Sequence, residues 1–356
     1  MKILFVSDAQ SIHTRRWAES FRDQGDEVHI ASFRAANIEG VTVHYLNAFG
    51  LGKLGYFLAI PRLRSLASRL RPDVVHAHYV TSYGFLAAAA HLKPLVVTAW
   101  GSDVLVSPRE FIGSRWLARK ALTSADRVTT VAEHMNQAVQ DLGVPASEIT
   151  AVPFGVDVEL FRPAVAPKIL PPPLRIISTR NFSPIYSVQT VVKAVDKLHR
   201  RGVAVALDLV GEGPLRQELE KLVDTLGIRA IVQFHGHIGP SRLVTLLGAA
   251  HLFVSSAISD GNNVSLNEAM ACGCIPVVTR IPANEQWITH ENNGFLFKSG
   301  DHEMLAEMIE RAGDVSRWDA IVAQNRRIVE ERADWRVSVR QMRDIYSELV
   351  NRKKGL

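Results

Sequence analysis

The sequence predicts two α/β domains in tandem, each a parallel, doubly wound sheet flanked by helices. Three observations carry that expectation. Apolar, β-branched runs of strand length alternate with helical stretches in two successive series. Runs such as KILFV and PLVVTAW are apolar throughout, as strands covered on both faces are. A proline-rich break separates the two series, and 356 residues fit two domains at about 150 residues each.

In the first series, strands are expected at Lys2 to Ser7, Glu27 to Ser32, Val41 to Leu46, Asp73 to His78, Leu95 to Trp100, Arg127 to Val131 and Ile149 to Pro153. A helix is expected from Ser11 to Gly25, closed by that glycine. Phe161 to Pro173 then carries five prolines in 13 residues, which removes N–H donors and stiffens the chain, so 161–173 reads as a linker. It divides a first domain, 1–165, from a second, 174–337. The second series runs Leu174 to Thr179, Val205 to Val210, Ala230 to His235, Ala250 to Ser255, Ile275 to Thr279 and Gly294 to Phe297. Within it, PLRQELEKLVDTLG reads as a helix with Pro214 as its first residue and Gly227 just past its end. From Trp335 to Leu356, the spacing of Val339, Met342, Ile345, Tyr346 and Leu349 predicts a closing helix with one buried stripe.

Composition narrows the function classes. Hydrophobic residues at 47% and charged residues at 22% exclude disordered, collagen-like and disulfide-scaffold chains. The net charge of +5 suits an anionic small molecule or a phospholipid surface. Nucleic acid is not an expected partner, because the basic residues are scattered and no helix-turn-helix, zinc finger or stacking pattern accompanies them. Cys272 and Cys274, one residue apart, are too close for an ordinary disulfide loop or a four-ligand zinc site, which points to a reducing cytosol. No apolar run reaches about 18 residues and the N-terminus turns acidic early, so a chain that neither spans a membrane nor is exported is expected.

Ligands of doubly wound sheets bind beyond the carboxyl ends of the strands. The densest signal there is Ser255 to Trp287: a strand end, a polar Gly/Asn loop and a helix starting near Ser265, whose converging amides could hold a phosphate. Glu268, one turn in, could accept hydrogen bonds from sugar hydroxyls. Ser265 and Glu268 also have the S-x-x-E spacing of a capping box, which needs no ligand. Asp260, in the loop without an obvious partner, favours the ligand.

The stretch DGNNVSLNEAMACGCIPVV resembles the E-x7-E region of family 4 retaining glycosyltransferases, with Asp260 and Glu268 at the two acidic positions. DVVHAHY, TAWGSD, VPFGVDVELFRP, VGEGPLRQELE, FHGHI and NGFLFKSGD follow in the family's order. The resemblance implies the GT-B fold: two Rossmann-like domains facing across a cleft, the donor nucleotide held mostly by the second, and a C-terminal helix (about 338–356) returning to the first. It implies a nucleotide-diphosphate sugar as donor substrate, no cofactor, no metal, and a saccharide or lipid-linked acceptor.

Carried over residue by residue, Glu268 would bind the donor ribose and Asp260 the transferred sugar. The backbone at Gly261, Asn263, Val264 and Ser265 would face sugar and phosphate, and Arg180 would bind the diphosphate. Ile238 and Glu285 join the donor contacts, although Asn284 and Glu285 could instead cap a helix. The chain departs from the family at Tyr186, near an expected Lys, at Trp100, in place of the His of T-x-H-G-x-D, and at Asp260, in place of Glu.

In the first domain, Ser11 and His13 follow the first strand, where they could face the cleft. Asp103 could orient a hydroxyl in catalysis or simply form a turn. His76 and His78 share a strand face, and with no third ligand near, His78 reads as polar lining rather than as a metal ligand. In Pro61 to Arg71, Leu63, Leu66 and Leu70 share a helical face opposite four arginines. That face could lie on an anionic membrane or pack on the sheet. A cytoplasmic retaining, metal-independent glycosyltransferase, peripheral at the membrane and working in polysaccharide or glycolipid synthesis, is the reading these observations favour. A non-catalytic sugar-nucleotide-binding subunit and a GT-B epimerase or phosphorylase are the alternatives.

Overall fold

A computed structural model of the chain describes residues 1–47, 54–110, 112–164 and 168–355. It divides into two units, Met1–Phe154 with Val337–Leu356, and Gly155–Arg336. None of the described helices is long and apolar enough to cross a membrane.

The first unit holds strands β1 (Lys2–Val6), β2 (Glu27–Ser32), β3 (Thr42–Tyr45), β4 (Val74–His78), β5 (Leu95–Ala99), β6 (Arg127–Thr130) and β7 (Ile149–Ala151). Its helices are α1 (Ile12–Asp23), α2 (Leu54–Leu70), α3 (Phe85–Ala89), α4 (Ser102–Leu105), α5 (Ser107–Glu110), α6 (Ile112–Thr123) and α7 (Asn136–Gln140). The sheet order is β3-β2-β1-β4-β5-β6-β7, parallel throughout, with Ile3 paired to both Val28 and Val74. Every residue of β4 and β5 is buried, as covering on both faces requires. The chain starts at β1, winds out to β3, then returns to β4 beside β1. That reversal opens a crevice at the carboxyl ends of β1 and β4.

The arginine-rich segment resolves in favour of packing. Leu63 and Leu66 of α2 are buried and Leu70 is half-buried, so this stripe belongs to the core and does not lie on a bilayer. Helix α1 ends at Asp23, and Gly25 sits two residues beyond at φ +86°, the left-handed conformation its missing Cβ allows.

The second unit holds β8 (Leu174–Thr179), β9 (Val205–Val210), β10 (Val232–Gly236), β11 (Leu252–Ser255), β12 (Ile275–Thr279) and β13 (Phe295–Phe297). With them come α8 (Val188–Arg200), α9 (Arg216–Leu226), α10 (Pro240–Ala249), α11 (Val264–Ala271), α12 (Pro282–Glu285), α13 (His302–Ala312) and α14 (Trp318–Arg332). The order β10-β9-β8-β11-β12-β13 is again all parallel and again reverses, here between β8 and β11. Pro214 is not the first residue of α9. The helix starts at Arg216, because Gly213 at φ +157° and the bond from the Leu215 amide to the Phe182 carbonyl set a turn first.

The boundary between the units corrects the linker at 161–173. The chain leaves the first unit at Phe154, and the described residues of the proline-rich segment, 161–164 and 168–173, belong to the second. Val158 and Phe161 are in its core, Lys168 Nζ donates to the Gly273 carbonyl at 2.7 Å, and His251 Nε2 reaches the Ile169 carbonyl at 2.6 Å. The two crossings run side by side: the Trp335 amide donates to the Val156 carbonyl at 2.9 Å, and a Cβ on Gly155 would meet Trp335 Cα at 2.4 Å. Helix α15 (Trp335–Lys354) then returns to the first unit, burying Val339, Met342, Ile345, Tyr346 and Leu349 as their spacing predicts.

Candidate active site

In the second unit, the reversal of strand order brings the ends of β8 and β11 together. Arg180, directly after β8, is 8% exposed. Its Nε donates to Ser255 Oγ at 3.2 Å and its Nη2 to Asp260 Oδ2 at 2.7 Å. The Tyr186 ring lies 5.1 Å from the guanidinium carbon, so the residue at the expected Lys position packs on the guanidinium. Burial, helped by the Asp260 charge, raises the Tyr186 hydroxyl pKa above its usual 10, and it stays protonated. Arg180, Asp260 and Tyr186 are therefore one cluster. Ser255, which orients the guanidinium, had no signal in the sequence beyond ending a strand.

Two glycines hold this arginine in place. A Cβ on Gly211 would lie 2.2 Å from the Arg180 carbonyl oxygen, and one on Gly213 2.5 Å from that of Phe182. The glycines of VGEGPL thus admit the backbone that carries Arg180.

Helix α11 begins where the sequence places a phosphate-facing N-terminus, with one correction. Its cap is Asn263, not Ser265: Asn263 Oδ1 accepts from the Leu266 amide at 3.0 Å, while Ser265 Oγ donates to the Thr179 carbonyl at 3.2 Å. The capping-box reading of Ser265 and Glu268 therefore fails, because the serine hydroxyl points to the end of β8. Asn263 Nδ2 also donates to Asn284 Oδ1 at 2.8 Å, and Asn284 Nδ2 to the Thr279 carbonyl at 2.8 Å, tying α11 to α12. The Val264 amide is taken by the Asn262 carbonyl, so it does not face a ligand. The Asn263 and Ser265 amides lie at the N-terminal end of the same helix.

Glu268 is half-buried on α11 and Gly261 is buried in the preceding loop. Half-buried Ile238 follows β10, packing against the same core as Val264. Glu285 is exposed and lies 3.4 Å from Arg280. Neither it nor Asn284 caps α12, which starts at Pro282 without a side-chain cap.

The first unit fills its crevice with aromatic and imidazole rings. His78, at the end of β4, is buried, with Nδ1 3.0 Å from Ser7 Oγ, itself 2.7 Å from Thr14 Oγ1. Burial, then the nearby His13, lowers its pKa to about 3, so the ring is neutral. His13 stacks on Phe154 at 4.1 Å between centroids and meets Trp100 edge-on at 5.6 Å, while Trp100 lies 5.2 Å from His78. The structure thus unites His13, His78 and Trp100 and adds Phe154. His78 Nε2 and Trp100 Nε1 are buried with no partner among the described residues. Ser11 sits half-buried at the start of α1 and makes no side-chain cap. His76 is not lining: its Nδ1 meets Tyr346 Oη and its Nε2 Thr98 Oγ1, both at 2.5 Å, which docks α15 on the sheet. Among the described residues, no group of three or more His, Cys, Asp and Glu could hold a metal ion.

Asp103 is the clear correction. It is fully buried, and its carboxylate accepts from the amides of Val80 at 2.7 Å, Gly101 at 2.8 Å and Trp100 at 3.1 Å. Burial raises its pKa although these amides pull the other way. A carboxylate so occupied forms the turn after β5 and positions Trp100; it is not a catalytic group.

Comparison with known proteins agrees with this geometry. Residues 2–132 match a glycosyl transferase 4-like family and residues 166–327 the glycosyl transferases group 1 family. The chain is 26% identical over 310 residues to N-acetyl-alpha-D-glucosaminyl L-malate synthase of Bacillus anthracis, covering 80% of this chain and 79% of that protein. It is 25% identical over 358 residues to the sulfoquinovosyl transferase SQD2 of Arabidopsis thaliana, covering 91% and 67%. Among solved structures, Anabaena HepE in complex with UDP-glucose superposes with a TM-score of 0.81 at 20% identity, covering 98% of this chain and 100% of that one. Sucrose-phosphate synthase from Thermosynechococcus elongatus gives 0.82 at 18% identity, covering 98% and 99%. With two Rossmann-like parallel sheets and both matching domains in order, the chain belongs to the family 4 glycosyltransferases of GT-B fold.

Proposed function

We propose that the chain transfers a sugar from a nucleotide-diphosphate donor to a hydroxyl of a saccharide or lipid-linked acceptor, with retention of configuration and without a metal ion. Its setting would be the cytoplasmic side of a membrane, in cell-surface glycan or glycolipid synthesis. One observation carries the reading: Arg180, fixed by Ser255 and Asp260, stands at the reversal of the second sheet beside the start of α11. A guanidinium has five N–H donors. With Nε on Ser255 and Nη2 on Asp260, the remaining donors suit the oxygens of a diphosphate, and the Asn263 and Ser265 amides supply more.

The chemistry is electrostatic. As the bond from the anomeric carbon to the diphosphate oxygen breaks, negative charge grows on that oxygen, and Arg180 and the amides stabilise it. The acceptor oxygen bonds to the anomeric carbon on the same face, and its proton passes to the departing phosphate. No covalent intermediate on the protein is required. In the first unit, unpartnered His78 Nε2 and Trp100 Nε1 suit uncharged hydroxyls. Uridine nucleotides are the first to try, since the structural relative HepE is solved with UDP-glucose and with UDP.

The second reading, a sugar-nucleotide-binding subunit without turnover, draws on Tyr186 packed where the family carries a Lys and Trp100 where it carries a His. Melting with and without UDP and UDP-sugars tests the binding, because a ligand selective for the folded form raises the transition temperature. Calorimetry on Glu268→Ala should show about 10- to 100-fold weaker nucleotide binding. No shift with any nucleotide would overturn both readings. A shift without transfer to any lipid or saccharide acceptor would favour the second.

A further inference from the structure

We infer that the hydroxyl of Tyr186 donates a hydrogen bond to the terminal phosphate of the departing nucleoside diphosphate, an assignment that rests on the transfer reading and adds a catalytic residue to it. Tyr186 joins three strand ends of the second crevice. It follows β8, its ring lies 5.1 Å from the guanidinium carbon of Arg180, and it packs against Ala257, beyond β11, and Ile281 and Ala283, beyond β12. The backbone that carries it is clamped. Ser256 Oγ reaches the carbonyl oxygens of Tyr186 at 3.0 Å and Ser187 at 2.9 Å, and the Ile258 amide donates to the Ile185 carbonyl at 2.8 Å. Ser187 is buried at φ +46°, a left-handed conformation that residues with a Cβ rarely adopt and that persists only where the surroundings impose it. Such strain next to a residue in a crevice points to a side chain held in place for a ligand.

The ring is half-buried, and its hydroxyl forms no hydrogen bond to any described residue. Burial, then the Asp260 charge, keeps the phenol protonated, so it has a proton to offer. Asp260 offsets the charge of Arg180, and a further donor therefore matters to a phosphate bound beside that pair. A phenol donating to an ionised phosphate makes a charge-assisted bond, stronger than one between neutral groups. As the bond from the anomeric carbon to the diphosphate oxygen breaks, its electron pair stays on that oxygen. Tyr186 keeps its own proton and its hydrogen bond tightens, while the proton of the acceptor hydroxyl passes to the departing phosphate. The residue that the second reading counts against turnover thus contributes to it.

The test is calorimetry on the whole chain with whichever of UDP, GDP and ADP raises its melting temperature, and with the matching monophosphate, which lacks the terminal phosphate. Tyr186→Phe keeps the ring on Arg180 and removes only a hydroxyl without a partner among the described residues, so its melting without ligand should be unchanged. It should bind the diphosphate about tenfold more weakly and the monophosphate as the unaltered chain does. Phosphorus NMR of the bound diphosphate gives a second readout that packing alone would not move: between the two proteins the terminal resonance should shift and the inner one should not. Unchanged diphosphate affinity in Tyr186→Phe, an equal loss for the monophosphate, or an unmoved terminal resonance would overturn the inference and leave the transfer reading standing. An unaltered chain that binds none of the three diphosphates would overturn both.

Discussion

The two units share a parallel sheet with one reversal of strand order and place opposite chemistry at it. In the second unit the crevice holds a buried guanidinium paired with a carboxylate and framed by the amides at the start of α11. In the first it holds two imidazoles, an indole and a phenyl ring, with the Asp103 carboxylate turned into the backbone. Topology therefore fixes where a ligand can go, and side chains decide its charge. On the proposed reading, the second crevice would take the diphosphate and the first the hydroxyls of the acceptor.

Removing the charge should expose this difference most. Arg180→Ala takes away a donor aimed at developing negative charge, which costs about 100- to 1,000-fold in turnover. It also strands Asp260, 14% exposed, so stability should fall by about 3 kcal/mol or more. Adding Asp260→Asn should restore much of the stability and none of the turnover. Kinetics and denaturant melts on the single and double variants check this, and an Arg180→Ala enzyme with wild-type turnover would remove the guanidinium from the chemistry.

Acid should act on the first unit. Burial holds His76 well below 6.5 and His78 at about 3, so the folded unit keeps both neutral while the unfolded chain protonates them near 6.5. These shifts stabilise the fold above about pH 6.5, and that stability is lost as pH falls toward the folded values. Two such groups cost about 4 kcal/mol between pH 7 and pH 5. Urea melts at the two pH values should show the loss, and His78→Gln should remove about half of it. An unchanged pH dependence in His78→Gln would mean that the ring is protonated in the folded chain.

Much of this was legible in the sequence, for identifiable reasons. Leu174–Thr179, Val205–Val210 and Ile275–Thr279 fall where the apolar runs predict, because burial on both faces leaves little room for polar residues. Glu268 and Asp260 could be singled out because spacing along one loop and helix is local. What could not be read is what depends on distant partners. Nothing near Asp260 announces Arg180, 80 residues away. Nothing in TAWGSD shows that Asp103 will meet an amide of Val80, whose approach depends on how β4 and β5 end. The proline-rich run signals stiffness but not its neighbours, and Lys168 and His251 are what bind it to the second unit.

Asp103→Asn sharpens the contrast between the two aspartates. The new amide nitrogen cannot accept, so at least one of the three backbone N–H groups loses its partner, at about 1–3 kcal/mol of stability. Turnover per folded molecule should hold, whereas Asp260→Asn should lower it by weakening the grip on Arg180. A large loss of turnover in Asp103→Asn at full folding would return Asp103 to the reacting groups.

The smallest expected effect separates two ways of starting α11. If S-x-x-E spacing governed the helix, Ser265→Ala would be the costlier change. The geometry says otherwise, since the Leu266 amide is capped by Asn263 Oδ1 and Ser265 Oγ donates away to the Thr179 carbonyl. Asn263→Ala should therefore cost about 1 kcal/mol or somewhat more, because it removes the cap and leaves Asn284 Oδ1 without its donor. Ser265→Ala should cost less, since it deletes one hydroxyl whose acceptor carbonyl lies at a strand end. Urea melts on the two variants order them, and the reverse order would restore the capping box and with it a helix start that needs no ligand.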